Sequence, residues 1–272
     1  MSLTTEYLRN EQHIRRSHQV RLLTLGMLLI AVFLVICYGL VTALGVAACL
    51  VIALAAGVNT RQLVAANRGY TPPRVGSGAD DHPRLATITD HVTTAFDLPA
   101  PDVYVVDADH VTAAVGGLTP HSAQVVVSKT ALSEYSDCIL EGIIAHELAH
   151  LKNYHTLLGN MLRIPGTITG VGVVACVIGT GVPIMIPGLT GVPFETTLGV
   201  TGVSVLYAVL HAAVLREREY LADLTAAEYL GDADQYEAVL RAVSSLDDAD
   251  QSLFGVHPPL EARIQSGRAV AE

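Results

Sequence analysis

Leu22–Val58 runs for 37 residues without a charged side chain, and Ile164–Leu215 carries only Glu195. Apolar runs of that length and purity are not the helices of a soluble core. They point to segments that cross a bilayer, where backbone polar groups must be satisfied within helices. As one helix the first run would measure about 55 Å at 1.5 Å per residue, nearly twice the roughly 30 Å hydrocarbon core. Two short spans joined near Tyr38-Gly39 fit it better. The second run repeats the plan: Ile164–Ile186 crosses, Pro187–Thr197 turns and Leu198–Leu215 returns. Pro183, Pro187 and Pro193 mark irregular backbone near that turn.

Charge placement gives the orientation. Arg9, Arg15, Arg16 and Arg21 precede the first hairpin, Arg61, Arg68, Arg74 and Arg84 follow it, and Arg163, Arg216 and Arg218 bracket the second, while neither opposite turn holds Lys or Arg. With two hairpins all positive charge falls on one face, which the positive-inside rule makes cytoplasmic. A single long first span would strand the N-terminal arginines outside. Met1–Arg21 therefore reads as a cytosolic leader into a retained anchor, since the apolar run that follows is far longer than a secretory signal's. The expected location is the plasma membrane. The divisions are 1–21 leader, 22–58 hairpin, 59–163 first catalytic part, 164–215 hairpin and 216–272 second catalytic part.

The net charge is −10 and there is no basic stripe interleaved with aromatics, so nucleic acid is not an expected partner. Cys37, Cys49, Cys138 and Cys176 include no Cys-x-x-Cys pair, which argues against a thiolate zinc site or a disulfide framework.

Outside the apolar blocks the pattern is mixed. His82–Leu98 predicts an amphipathic helix, and Asp102–Val106, Thr112–Gly116 and Ala123–Val127 predict strands. A helix is expected over Ser136–Asn160. It carries His146-Glu147-Leu148-Ala149-His150, whose two imidazoles, at i and i+4, share a face and can reach one metal ion, with Glu147 projecting nearby to hold a water. Zinc suits two nitrogens and a carboxylate with an open position. Among downstream acids Glu195 falls on the far side of the membrane, and Glu217 points about 200° away from Glu219 at 100° per residue, suiting a neighbouring Arg instead. Glu219, just below the last apolar run, is the candidate third ligand. Asp223, one turn on, is placed to accept a hydrogen bond from a ligating imidazole. On a continuous helix His155 lies about 180° from His146 and cannot share the ion. His211, within the last apolar run, suits an interhelical hydrogen bond.

This combination resembles the HtpX-like membrane metalloproteases and the related CAAX prenyl endopeptidases, over most of the chain after residue 60. The resemblance rests on His-Glu-Leu-Ala-His-Leu-Lys-Asn at 146–153, Glu-Tyr-Leu-Ala-Asp at 219–223 and His-Pro-Pro-Leu-Glu-Ala-Arg-Ile at 257–264, with an apolar hairpin between the first two. It implies that His146, His150 and Glu219 hold one zinc ion, that Glu147 is the general base and that Asp223 orients His146. It also places His257 and Arg263 near the substrate, with His257 stabilising the oxyanion. The implied fold is mainly helical α+β: a zincin-type catalytic domain with a small β-sheet, joined to four transmembrane helices in two hairpins. One run departs from the family pattern. Where these proteases carry an Asn-Ala-Phe-Ala-x-Gly strand beside the cleft, this chain has Val111-Thr112-Ala113-Ala114-Val115-Gly116-Gly117.

The activity expected is zinc-dependent endopeptidase cleavage of misfolded or membrane proteins at the cytoplasmic face. The partners are then unfolded or membrane proteins and the lipid bilayer. The alternatives are a CAAX-type prenyl protein endopeptidase, a site-2-type intramembrane protease and a four-span scaffold whose His cluster is structural. The site-2 type fits worse, because Glu141, Lys152 and Asn153 flank the motif and no Asn-Pro-Asp-Gly segment supplies an Asp ligand. The orientation is checked by cysteine labelling in sealed vesicles. Probes at Ser2 and Ser266 should report the same side, and opposite sides would exclude the double hairpin.

Overall fold

A computed structural model of the chain describes residues 3–68, 82–107, 113–117, 119–185, 191–244 and 258–271. In chain order these form α1 (Leu3–Arg68), α2 (Pro83–Phe96), β1 (Asp102–Val106), β2 (Ala113–Gly116), β3 (Gln124–Ser128), α3 (Lys129–Glu134), α4 (Asp137–Lys152), α5 (His155–Met185), α6 (Phe194–Leu230), α7 (Ala233–Ser244) and α8 (Leu260–Ala271). The protein is mainly helical with one small sheet. Two compact units share the chain. The first comprises Met1–Leu22, Ala66–Leu158 and Leu215–Glu272, the second Leu23–Ala65 and Gly159–Val214.

In the first unit the sheet order is β1-β3-β2, with β1 parallel and β2 antiparallel to β3, so β2 is an edge strand. Val103, Val105, Val125 and Val127 are buried from the sheet, against Leu85, Ile88, Val92 and Phe96 of α2 and Leu140, Ile144 and Leu148 of α4. The i, i+3, i+4 spacing of the α2 residues is what turns one stripe of that helix inward. A smaller cluster joins α6, α7 and α8 through Ala227, Tyr236, Leu240 and Ile264. Here Gly267 has a packing role: a Cβ at that position would sit inside the van der Waals surface of the buried Tyr236 ring. The leader packs within this unit too. Arg15 pairs with Glu228, and His18 Nδ1 lies 2.7 Å from Glu217 with its ring stacked on Tyr220. Glu217 thus pairs with a histidine of the leader, and not with a neighbouring arginine.

The second unit is made of apolar helix segments. Leu29, Val32, Ile36 and Leu40 are buried within it, whereas Leu23, Met27, Ile30, Leu34, Val174 and Ile178 are exposed. Large exposed apolar side chains on long helices suit a lipid environment. Among the described residues three helices are long and apolar enough to cross a membrane: Gln12–Thr42, His155–Gly181 and Phe194–Leu230. Tyr38 and Gly39, where the sequence suggests a join, are helical. The described break lies at Gly45, whose φ of 79° and ψ of 162° are open to glycine and strained for other residues. The second apolar run turns near its expected place, although residues 186–190 lie outside the described residues and α6 begins at Phe194, ahead of Thr197.

Ala at position 267 should force the Tyr236 ring out of place and destabilise the first unit by about 1–3 kcal/mol, as overpacking does. Thermal unfolding of Gly267→Ala against the parent checks this, and an unchanged midpoint would show that α7 and α8 are loosely packed.

Candidate metal centre

The motif helix α4 is shorter than the sequence predicts. It starts after Ser136 and ends at Lys152, where the Asn153 N–H donates to the Ala149 carbonyl and the Tyr154 N–H to that of Leu151. Tyr154 then takes a left-handed φ of 56°, and His155 opens α5. The helix predicted over Ser136–Asn160 is therefore two helices. A basic residue in the last turn followed by Asn is a helix-stop signal, and Lys152-Asn153 fits it.

Leu140, Ile144 and Leu148 fix the buried face of α4, which leaves His146, Glu147 and His150 half-buried on another. The two imidazoles stand edge to face, 4.9 Å between centroids. Glu219 enters from α6 and bridges them: its Oε2 lies 3.5 Å from His146 Nε2 and its Oε1 lies 3.5 Å from His150 Nε2. Ligand atoms from these three residues all fall within 4.8 Å of one another. Separations of 3.5 Å are long for charge-assisted hydrogen bonds. They match two ligands each about 2.0–2.2 Å from a shared ion at a tetrahedral angle, which would be roughly 3.4 Å apart. Glu219 is only 3% exposed. A buried carboxylate facing two imidazoles calls for positive charge.

The electrostatics of His146 say the same. Burial alone would push this imidazole down, but the Asp223 and Glu219 carboxylates outweigh burial and raise it to about 10. Without a metal, a proton supplies the charge that the carboxylates demand. The donor set of two nitrogens and one carboxylate oxygen therefore fits a divalent ion with a position left open.

The surroundings differ for the two imidazoles. Behind His146, Nδ1 lies 3.1 Å from Asp223 Oδ1. Asp223 is fully buried and receives two bonds from Arg263, Nε to Oδ2 at 2.7 Å and Nη2 to Oδ1 at 2.8 Å. The resemblance places Arg263 near the substrate; two of its guanidinium nitrogens lie on Asp223. Behind His150, Nδ1 lies 3.1 Å from His155 Nδ1. The 180° separation of His155 from His146 holds only if α4 continues through position 155, and the break at Asn153–Tyr154 removes it. His155 is still no part of the three-residue group. The Val115 N–H of β2 donates to Glu147 Oε2 at 3.3 Å, a main-chain contact that no side-chain pattern could announce. His257, Val111 and Thr112 lie outside the described residues. His211 stands against the Tyr207 ring, 6.0 Å between centroids, in the apolar unit.

Comparison with known proteins places this geometry. The model of "Peptidase family M48" matches residues 79–271. Relatives named Protease HtpX homolog are 28% identical in Dictyoglomus turgidum, over 71% of this chain and 71% of the relative, and 29% identical in Tropheryma whipplei, over 68% and 72%. Among solved structures, the crystal structure of S. mikatae Ste24p matches with a TM-score of 0.58 at 16% identity. The match takes in 94% of this chain and 66% of that one, slightly under two thirds, and at this identity speaks for the fold. The family match spans α2 to α8 and contains the two histidines of α4, Glu219 and Asp223 of α6 and Arg263, and on that match the chain belongs to peptidase family M48.

Proposed function

We propose that the chain is a zinc-dependent membrane endopeptidase that cleaves unfolded or membrane proteins at the cytoplasmic face, with four spans in two hairpins and the plasma membrane as its location. The observation that carries the proposal is the convergence of His146 and His150 with Glu219, drawn from positions more than 65 residues apart in sequence, around a space the size of one ion. Family membership and relatives named as proteases support the same reading.

His146, His150 and Glu219 would hold the zinc, and Asp223, pinned by Arg263, keeps His146 in the orientation that offers Nε2. Bound there, zinc would supply Lewis-acid polarisation of the scissile carbonyl and an acidified water. Glu147 lies between the ligands without joining the group, and its role is to take a proton from the attacking water and return it to the leaving amine. The Val115 N–H beside its Oε2 holds that carboxylate in place. The edge strand β2 offers a main-chain ladder to an extended substrate, a mode of binding indifferent to most side chains. His257, by the resemblance, donates to the oxyanion.

Metal analysis and cleavage of an unfolded test protein, run on one set of variants, check the proposal. His146→Ala, His150→Ala and Glu219→Ala should each lose the metal. Glu147→Gln should keep about one zinc per chain and lose roughly 10²–10⁴-fold or more in turnover, the usual share of a general base. Full zinc occupancy in Glu219→Ala would remove the third-ligand assignment. A Glu147→Gln protein retaining more than about a tenth of the parent rate would place the base elsewhere.

A further inference from the structure

An imidazole that gives its Nε2 lone pair to a metal keeps its proton on Nδ1, and that N–H needs an acceptor. For His146 the acceptor is Asp223. Among the described residues His150 has no carboxylate at its Nδ1. It has the ring of His155, 3.1 Å from nitrogen to nitrogen and 5.2 Å between centroids. Two Nδ1 atoms at that distance share one proton. If His150 offers Nε2 to the ion, the proton belongs to His150, and His155 must present a bare Nδ1 and carry its own hydrogen on Nε2.

The backbone is shaped to bring this about. On an unbroken helix position 155 would lie about 140° around from position 150 at 100° per residue. The chain instead ends α4 at Lys152 and sets Tyr154 in a left-handed conformation, which is strained for a residue with a Cβ. Tyr154 gains no burial in return, being 55% exposed. What is buried is the residue after it: His155 is 2% exposed, among the most deeply buried large side chains of the protein. Thr225 Oγ1 accepts from Asn153 Nδ2 at 3.2 Å and so ties the turn to α6, the helix that carries Glu219.

We propose that His155 is a positioning residue, accepting the Nδ1–H of His150 and thereby fixing the tautomer and ring plane in which His150 offers Nε2 to the metal. The inference rests on the metal-site reading above. It makes the two histidine ligands unequal: one is backed by a carboxylate and the other by an imidazole ring. It also gives the left-handed turn at Tyr154 a purpose.

The test uses the full-length protein in detergent, stripped of metal and titrated with zinc against a competing chelator. The same samples are also loaded with cobalt(II) for its visible spectrum. His155→Leu fills the volume without an acceptor, while His155→Asn returns an oxygen near the place of Nδ1. Removing a group that orients a ligand typically costs 10–100-fold in affinity. His155→Leu should therefore bind zinc about 10–100-fold more weakly and shift the cobalt bands. His155→Asn should recover most of the affinity, and the metal-free melting temperature of both should stay near the parent's. Parent-like affinity in His155→Leu, with His150→Ala losing the metal, overturns the inference and leaves the metal site standing. So does an equal loss in Leu and Asn, or a loss matched by a collapse of the metal-free melting temperature, since either outcome assigns His155 to packing. A parent that binds no zinc overturns the metal site and this inference together.

Discussion

Arg263 of α8 forks onto Asp223 of α6, and both groups are shut away from water. Withdrawing two charges from solvent is expensive, and their attraction offsets the cost only when geometry is good and the remaining hydrogen-bonding capacity is used. Here the contact is bidentate, and the oxygen that takes Nη2 also faces His146 Nδ1 at 3.1 Å. Removing one partner would leave the other as a lone buried charge, at a cost of about 3–5 kcal/mol. The pair thus ties α8 to α6 and, through His146, to the motif helix α4, and under the proposed metal site it also orients His146.

The site stands on rigid elements. Two histidines one turn apart on α4 need only the helix to face the same way. Glu219 and Asp223 are likewise one turn apart on α6, so a single helix carries both the proposed third ligand and the carboxylate behind His146. The leader adds to this: Arg15 pairs with Glu228 and donates to Thr225 at 3.4 Å, and Thr225 also holds Asn153 at the end of the motif helix. Residues far apart in sequence therefore converge on the turn that precedes His155.

Much of this was legible in the sequence because it depends on local periodicity. The i, i+4 pairs His146/His150 and Glu219/Asp223, the apolar stripe of α2 and the alternating strand β1 each follow from one repeat along one element. What escaped depends on where a helix stops or on contacts between elements. The end of α4 at Lys152, eight residues short of Asn160, decides the place of His155: its ring comes to lie beside His150, although it stays outside the three-residue group. The kink at Gly45 instead of Tyr38-Gly39 is the same kind of difference, since a glycine among many apolar residues gives no sign of which one breaks the helix. Arg263 and Glu217 show the other limit. Their charges were plain, but Asp223 and His18 could be matched to them only by tertiary packing.

The central claim is that one ion sits between His146, His150 and Glu219, and zinc-edge X-ray absorption on protein loaded with a single equivalent of zinc tests it most directly. The account expects a four-coordinate shell of light atoms at about 2.0–2.2 Å, with the outer-shell scattering of two imidazole rings, and loss of one imidazole in His150→Ala. A shell containing sulfur, a six-oxygen shell, or two-imidazole scattering that persists unchanged in both His146→Ala and His150→Ala would contradict it.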